Sequence, residues 1–157
     1  MSSRGPRAEA VTSVVLATFV ANGAFLAAGD RLVAGHGLTA ARWQVLGAVA
    51  LADRPLTVAQ VARRMGLARQ SVHASVRRLV DDGLLVFSAN ADHRRSPLVH
   101  LTAAGASAYA EVDALQARWA GELAEGVALA DLEAAARVLA QLSARLGVAG
   151  HHEEETR

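Results

Sequence analysis

The stretch ARQSVHASVRRLVDDG (residues 68–83) carries two chemically different edges at helical spacing. At about 100° per residue, the apolar side chains of Val72, Val76 and Leu79 fall on one side of a helix. The opposite edge carries amide, small, cationic and acidic side chains, namely Gln70, Ala74, Arg77 and Asp81. The pattern predicts a helix that packs on the protein with one edge and leaves the other edge outside.

The outer edge has the chemistry of a surface that reads DNA. Gln and Arg side chains make paired hydrogen bonds to adenine and guanine edges, and the small Ala74 lets the backbone approach another surface closely. Ser71 and the helix N-terminus can meet a phosphate. Taken alone, the stretch fits an ordinary amphipathic helix with solvated arginines equally well.

The preceding stretch TVAQVARRMG (residues 57–66) predicts a second short helix. Thr57 and Gln60 have the spacing of a capping box. Val58, Val61 and Met65 are expected to face inward. Gly66 and Leu67 make a tight corner, and two short helices joined by such a turn form a helix-turn-helix.

The segments LLVFS (84–88) and PLVHL (97–101) are rich in strand-forming residues and flank the polar loop ANADHRRS (89–96). They predict a β-hairpin with a basic tip, which makes the motif a winged helix-turn-helix. Arginine suits a narrow minor groove. Asp92 is placed to hold the guanidinium of Arg94 in a fixed pose.

Charge is unevenly distributed along the chain of 157 residues, whose formal net charge is +1. Residues 54–95 hold eight arginines against three aspartates, whereas residues 111–157 hold four arginines against nine acids. A cationic middle segment indicates a polyanionic partner. The chain has no cysteine, which excludes disulfides, cysteine-based zinc sites and thiol redox switching.

Residues 10–29 carry no charge and are about long enough to cross a bilayer. Their large side chains nevertheless form a stripe through Val11, Val15, Phe19 and Leu26. A stripe favours a packing or dimerising helix over a membrane span, and we expect no membrane association. The last predicted helix carries a similar stripe of leucines, namely Leu132, Leu139, Leu142 and Leu146.

Three segments together, GLTAARWQVLGAVA (37–50), LTVAQVARRMGLARQSVHASVRRLVDDGLL (56–85) and NADHRRSPLVHLTAAG (90–105), resemble the MarR family of bacterial transcription regulators. The resemblance implies a mainly α fold with a small β-hairpin wing, a winged helix-turn-helix domain plus N- and C-terminal dimerisation helices. The expected organisation is a disordered N-terminus (1–7), one MarR-type domain (8–146) and a polar tail (147–157). Within the domain, dimerisation helices cover 8–38 and 103–146, and the DNA-binding core covers 39–102.

The resemblance also implies a cytoplasmic homodimer bound to double-stranded DNA at a pseudo-palindromic operator, as a repressor. It places the recognition-helix contacts at Arg69, Gln70, Ser71, His73, Ala74 and Arg77. It places the wing contacts at Asp92, Arg94 and Arg95. Many relatives have a second acid between the basic wing residues, whereas this chain reads DHRR, so Asp92 has two candidate arginine partners.

A small aromatic or phenolic effector is a further implication of the resemblance, because such molecules usually release family members from DNA. Candidate residues for its pocket are Phe25, His36, Trp43 and Trp119. The alternative is that the three aromatic residues are simply part of the core.

Other functions find little support in the sequence. We expect no cofactor and no metal, because His36, His73, His93 and His100 lack the spacing of metal ligands. We also expect no enzyme activity, since the chain has neither a phosphate-binding Gly-Lys-Ser/Thr loop nor a His-Glu-x-x-His helix. The alternative function is a winged-helix dimer that acts mainly as a protein-interaction module.

Overall fold

The computed structural model describes residues 5–147. In order along this part of the chain, the elements are α1 (Pro6–Val33), a 3-10 turn (Ala34–His36), α2 (Ala40–Ala50), β1 (Leu56–Thr57), α3 (Val58–Met65), α4 (Arg69–Asp81), β2 (Leu85–Ser88), β3 (Leu98–Leu101), α5 (Ala103–Leu123) and α6 (Leu129–Arg145). The predicted mainly α fold with a small β-hairpin is confirmed. Residues 1–4 and 148–157, which include most of the predicted terminal segments, lie outside the described part.

The chain divides into two compact units, one ending at Ala40 and one beginning at Ala41. In the first unit, α1 begins at Pro6, two residues before the predicted start, because proline is well suited to the first turn of a helix. The predicted disorder over residues 1–7 is therefore wrong for Pro6 and Arg7. At its other end, the Asp30 carboxylate accepts a hydrogen bond from the Ala40 amide at 2.7 Å.

Helix α1 leaves large apolar side chains exposed. Phe19 is 69% exposed and Val20 is 75% exposed. The helical segment from Pro6 to His36 is long and apolar enough to cross a membrane by length and composition.

The core of the second unit consists of aliphatic side chains from α2, α3, α4, the sheet and α5. Fully buried members are Val45, Leu46, Val61, Val72, Val76, Leu79, Leu85, Val99 and Val112. Burial of these side chains is the main free-energy gain that holds the winged helix-turn-helix together.

Local capping fixes the helix-turn-helix. The Thr57 hydroxyl accepts a hydrogen bond from the Gln60 amide at 3.3 Å, and the Gln60 side chain accepts one from the Thr57 amide at 2.8 Å. The predicted capping box is therefore confirmed. Gly66 ends α3 with φ +63°, a left-handed conformation that glycine adopts without strain, and the chain turns there into α4.

The β-hairpin is confirmed, and the structure adds a third strand that the sequence did not predict. Strand β3 lies between β2 and β1, and both pairings are antiparallel. Val99 lies opposite Phe87 on one side and opposite Leu56 on the other. The two-residue strand β1 therefore joins the start of α3 to the base of the wing.

The two C-terminal helices differ in burial. The Thr102 hydroxyl accepts a hydrogen bond from the Gly105 amide at 3.0 Å and caps α5, which buries Gly105 and Val112. Helix α6 buries none of its residues, and Leu132, Val138 and Leu139 are each at least 40% exposed.

Candidate nucleic-acid interface

Helix α4 has the two edges that its sequence predicts. Val72, Val76 and Leu79 are buried, at most 1% exposed. The residues predicted to face a groove are all exposed, namely Arg69, Gln70, Ser71, His73, Ala74 and Arg77. Among residues 5–147, no ion pair holds the Arg77 guanidinium, which leaves its donors available to an external acceptor.

The N-terminus of α4 leaves its backbone donors open. Ala68 occupies the N-cap position and has no side-chain oxygen with which to accept from the first turn. The first N–H groups of an α-helix have no partner inside the helix, and they carry a partial positive charge. This end of α4, together with the exposed hydroxyl of Ser71, is suited to contact a phosphate.

Asn90 organises the tip of the wing. Its side-chain amide donates to the Ser96 carbonyl at 2.9 Å, and its side-chain oxygen accepts from the Asp92 amide at 3.1 Å. A further hydrogen bond, from the Ser96 amide to the His93 carbonyl at 2.9 Å, closes the loop. Sequence reasoning missed this role, although asparagine between two strands is a common turn residue whose side chain bonds nearby backbone.

The wing residues Asp92, Arg94 and Arg95 are all exposed. The predicted ion pair of Asp92 with Arg94 is wrong, since among residues 5–147 its carboxylate pairs with neither wing arginine. Exposed opposite charges gain little from pairing in water, so they need not be held together. Both guanidinium groups therefore face solvent at the tip.

Backbone contacts fix the base of the wing to the start of α5. The Thr102 hydroxyl donates to the Gly83 carbonyl at 2.7 Å, and the Thr102 amide donates to the Leu84 carbonyl at 3.1 Å. A Cβ atom at position 105 would clash with the Leu84 carbonyl oxygen, so glycine is required there. No local sequence pattern predicts this close approach.

Asp82 joins the end of α4 to α2. Its carboxylate accepts from the Arg42 guanidinium at 3.0 Å and forms a second ion pair with Arg78 at 3.4 Å. The side chains of Arg42 and Asp82 are 19% and 31% exposed, so their charges are partly shielded from water. Sequence reasoning did not identify this pair, because the two residues lie 40 positions apart.

A pocket of about 450 Å³ opens in the second unit. Its walls come from α2, α3 and α5 and consist of Trp43, Gln44, Gly47, Ala48, Leu51, Arg64, Met65, Tyr109, Asp113 and Gln116. Of the four predicted effector residues, Trp43 lines this pocket and Trp119, half-buried on α5, does not. Phe25 and His36 are exposed in the first unit.

Three polar side chains give the pocket its chemistry. The Tyr109 hydroxyl donates to the Asp113 carboxylate at 3.3 Å. Burial raises the pKa of Tyr109 above its ordinary value of 10.0, and the negative charge and hydrogen bond of Asp113 raise it further. Arg64 donates to the Leu51 carbonyl at 3.1 Å, while its buried Nε has no hydrogen-bond partner among the described residues.

Relatives of the chain include uncharacterized proteins from Mycobacterium tuberculosis and Mycobacterium bovis. Each is 41% identical over 97 residues, which is 62% of this chain. The alignment spans 66% of the length of these relatives.

Solved structures share the fold over most of the chain. A MarR-family regulator from Rhodococcus sp. RHA1 matches with a TM-score of 0.73 at 20% sequence identity. The match covers 90% of this chain and 96% of the Rhodococcus chain. CouR from Rhodococcus jostii RHA1, bound to p-coumaroyl-CoA, has a TM-score of 0.71 at 22% identity over 82% of this chain and 88% of its own. BpsR from Bordetella bronchiseptica, whose DNA binding is regulated by 6-hydroxynicotinic acid, has a TM-score of 0.73 at 23% identity over 83% of this chain and 92% of its own.

The sequence model of the MarR family matches residues 36–96, which run from the end of the 3-10 turn through α4 to the wing. This segment holds the exposed edge of α4 and the exposed wing arginines. Over this segment the chain matches the MarR family of transcription regulators, and over most of its length it has the winged-helix fold of MarR-family structures.

Proposed function

We propose that the protein is a dimeric, sequence-specific DNA-binding regulator that acts as a repressor. The observation that carries the proposal is the exposed polar edge of α4, whose opposite edge is fully buried, followed by a wing with two exposed arginines. A helix of this kind fits the major groove, which admits one α-helix. Since chromosomal DNA is the partner, we propose a cytoplasmic location.

Each exposed residue of α4 has a proposed role. Gln70 and Arg77 make hydrogen bonds to base edges, while Arg69, His73 and Ser71 contact the backbone or neighbouring bases. The small side chain of Ala74 allows the backbone at the centre of this edge to approach the DNA closely. In the wing, Arg94 or Arg95 enters the minor groove, where arginine is attracted by the enhanced negative potential. Asp92 borders these two guanidinium groups.

We propose that residues 8–38 and 103–146 form the dimer interface and that residues 39–102 bind DNA. Helix α6 supports this division because it buries no residue within one chain, although it carries Leu132 and Leu139 on its surface. Helix α1 exposes Phe19 and Val20 in the same way. Large exposed apolar surfaces on soluble proteins are usually covered by a partner.

The pocket beside Trp43 is the proposed effector site. An aromatic anion fits its chemistry, because Trp43 offers a ring face and the buried Nε of Arg64 is an unused donor. Two structural neighbours take an aromatic acyl-CoA and a hydroxylated pyridine acid. A ligand in this pocket contacts α2, α3 and α5 together, which supports release from DNA by movement of the helix-turn-helix.

The effector proposal is tested with 6-hydroxynicotinic acid and p-coumaroyl-CoA as probes. Isothermal titration should detect binding of at least one probe, with loss of that binding in Arg64→Gln. The bound probe should also weaken DNA binding. Absence of heat for both probes, or DNA binding that does not respond to a bound probe, would count against this site.

The DNA-binding proposal is tested by selecting bound duplexes from random sequence. We expect a pseudo-palindrome whose half-sites are about 10 base pairs apart, bound by a dimer in sedimentation. Affinity should fall steeply with added salt, because each phosphate contact releases counterions.

The alternative, a winged-helix protein-interaction module, predicts no selected sequence and a flat salt dependence. Association of α1 with a membrane is the third possibility, since this helix is long and apolar enough to span one. Pelleting of the whole chain with vesicles would reveal that association, and we expect the protein to stay in the supernatant.

A further inference from the structure

We propose that Asp82 is a positioning residue: its ion pair with Arg42 fixes the angle at which α4 meets DNA, and so determines sequence discrimination. The inference rests on the proposed DNA-binding function. Asp82 lies outside the exposed edge of α4 and outside the wing, and its ion pair with Arg42 joins two elements of the second unit.

The location of Asp82 is electrostatically unfavourable for an unpaired acid. It occupies the C-cap of α4, where the backbone carbonyls carry a partial negative charge. The two arginines offset this repulsion, Arg42 at 3.0 Å and Arg78 at 3.4 Å. Because the Arg42–Asp82 pair is partly shielded from water, it is stronger than a fully exposed pair.

The pair adds a constraint at the C-terminal end of α4, beyond Leu79, the last buried residue of this helix. Val72, Val76 and Leu79 fix which edge of α4 faces inward, and the Arg42–Asp82 pair connects the end of the helix to α2. A 13-residue helix is about 20 Å long, so a tilt of about 5° about its C-terminal end moves its N-terminal end by ~1.7 Å. That displacement is enough to break a hydrogen bond between Gln70 and a base.

The exposed acid Asp53, in the turn after α2, provides a matched control. It forms no ion pair among residues 5–147 and lies outside α4 and the wing, so Asp53→Asn removes the same charge without changing either of these elements. Both substitutions change the long-range attraction to DNA similarly. Loss of the anchor to α2 is specific to Asp82→Asn.

The experiment compares affinity for the selected operator with affinity for a scrambled duplex, at one salt concentration. This ratio is independent of the folded fraction, because unfolding lowers both affinities equally, so a purely structural role would not move it. We expect Asp82→Asn to lower the ratio about tenfold, the cost of about one misread base pair, and Asp53→Asn to leave it within about twofold. Asp82→Glu, which keeps the charge, should recover most of the loss.

Arg42→Gln breaks the same pair from α2 and serves as the second variant should Asp82→Asn fold poorly. The double variant Arg42→Gln/Asp82→Asn should lose less discrimination than the sum of the two single losses, because both substitutions remove the Arg42–Asp82 pair. Wild-type discrimination in Asp82→Asn or Arg42→Gln would overturn this inference and leave the proposed DNA-binding function standing. A wild-type protein with a ratio near one would overturn the proposed function, and the inference with it.

Discussion

The side-chain amide of Asn90 donates a hydrogen bond to the carbonyl oxygen of Ser96 across the tip of the wing, at 2.9 Å. The same side chain accepts from the Asp92 amide, so one residue orders both ends of the loop that carries the two wing arginines. The wing is therefore held by a side chain that is not charged and is not itself a proposed DNA contact.

Replacing Asn90 by alanine removes both hydrogen bonds and loosens the loop before it meets DNA. We expect operator affinity to fall by about 1 kcal/mol, because ordering the loop then occurs on binding. Fluorescence anisotropy with a labelled operator measures the loss. Asn90→Asp keeps the acceptor for the Asp92 amide and loses the donor to Ser96. The operator affinity of this variant should therefore lie between that of Asn90→Ala and that of the wild-type protein. Equal affinity of Asn90→Ala and wild type would contradict this role.

Arg77→Ala and Arg94→Ala should each weaken specific DNA binding by about 1–3 kcal/mol while the fold is retained. Both guanidinium groups are exposed, so their removal costs little packing. Arg137→Ala is the control, since it makes the same charge change on α6, where its pair with Glu133 is long and exposed at 3.9 Å. Unchanged operator affinity in a folded Arg77→Ala or Arg94→Ala variant would remove that residue from the interface.

Val76→Asp and Ala74→Asp place the same charge on the two edges of α4. Val76 is 0% exposed, so an aspartate there should destabilise the fold by about 3–5 kcal/mol through an uncompensated buried charge. Ala74 is exposed, so its aspartate variant should fold normally and lose DNA binding by repelling the phosphates. Urea unfolding and operator binding separate the two effects, and a stable Val76→Asp protein would show that this edge is not packed.

Gly105→Ala should destabilise the second unit by at least about 1–3 kcal/mol, because its methyl group would clash with the Leu84 carbonyl oxygen. Gly121→Ala lies in the same helix with nothing within 4 Å of the added atom. It should be neutral or stabilising by up to about 1 kcal/mol. Thermal unfolding of both variants tests the close approach, which a stable Gly105→Ala protein would rule out.

Tyr109 should titrate at a pH above 10.0, because burial and the adjacent Asp113 both raise its pKa. The chain has one tyrosine, so the ultraviolet absorbance of the phenolate reports it alone. The folded state holds this proton more tightly than the unfolded chain does. Its contribution to stability is therefore complete below pH 10.0 and is lost as the pH rises through the raised pKa.

Asp113→Asn should lower the pKa of Tyr109 without returning it to 10.0, because burial is the largest cause and remains. Asp131→Asn on α6 is the control and should leave the titration unchanged. A Tyr109 titration that Asp113→Asn does not move would show that the two side chains do not interact in solution.

Features fixed by local pattern could be predicted from the sequence. The two edges of α4 follow from its apolar spacing, and the capping box follows from Thr57 and Gln60. The hairpin follows from two strand-forming runs around a polar loop. Strand β1 was missed because two residues are too short to show an alternating pattern, and its pairing partner lies about 40 residues away.

Contacts between distant residues could not be predicted in this way. The Arg42–Asp82 pair and the approach of Gly105 to Leu84 depend on how helices pack, which one sequence does not reveal. The same reason explains the pocket. Trp43 was identified by its aromatic character, whereas Tyr109 and Arg64 line the pocket only because α2, α3 and α5 meet there.

The close packing of Gly105 against the Leu84 carbonyl has a mechanical consequence. Because the backbone of α5 lies directly against the Leu84 carbonyl at Gly105, we expect the first turn of α5 and the base of the hairpin to move together. Tyr109, one helical turn further along α5, belongs to the wall of the pocket. We therefore expect a molecule that displaces that wall to displace the hairpin and its two wing arginines as well.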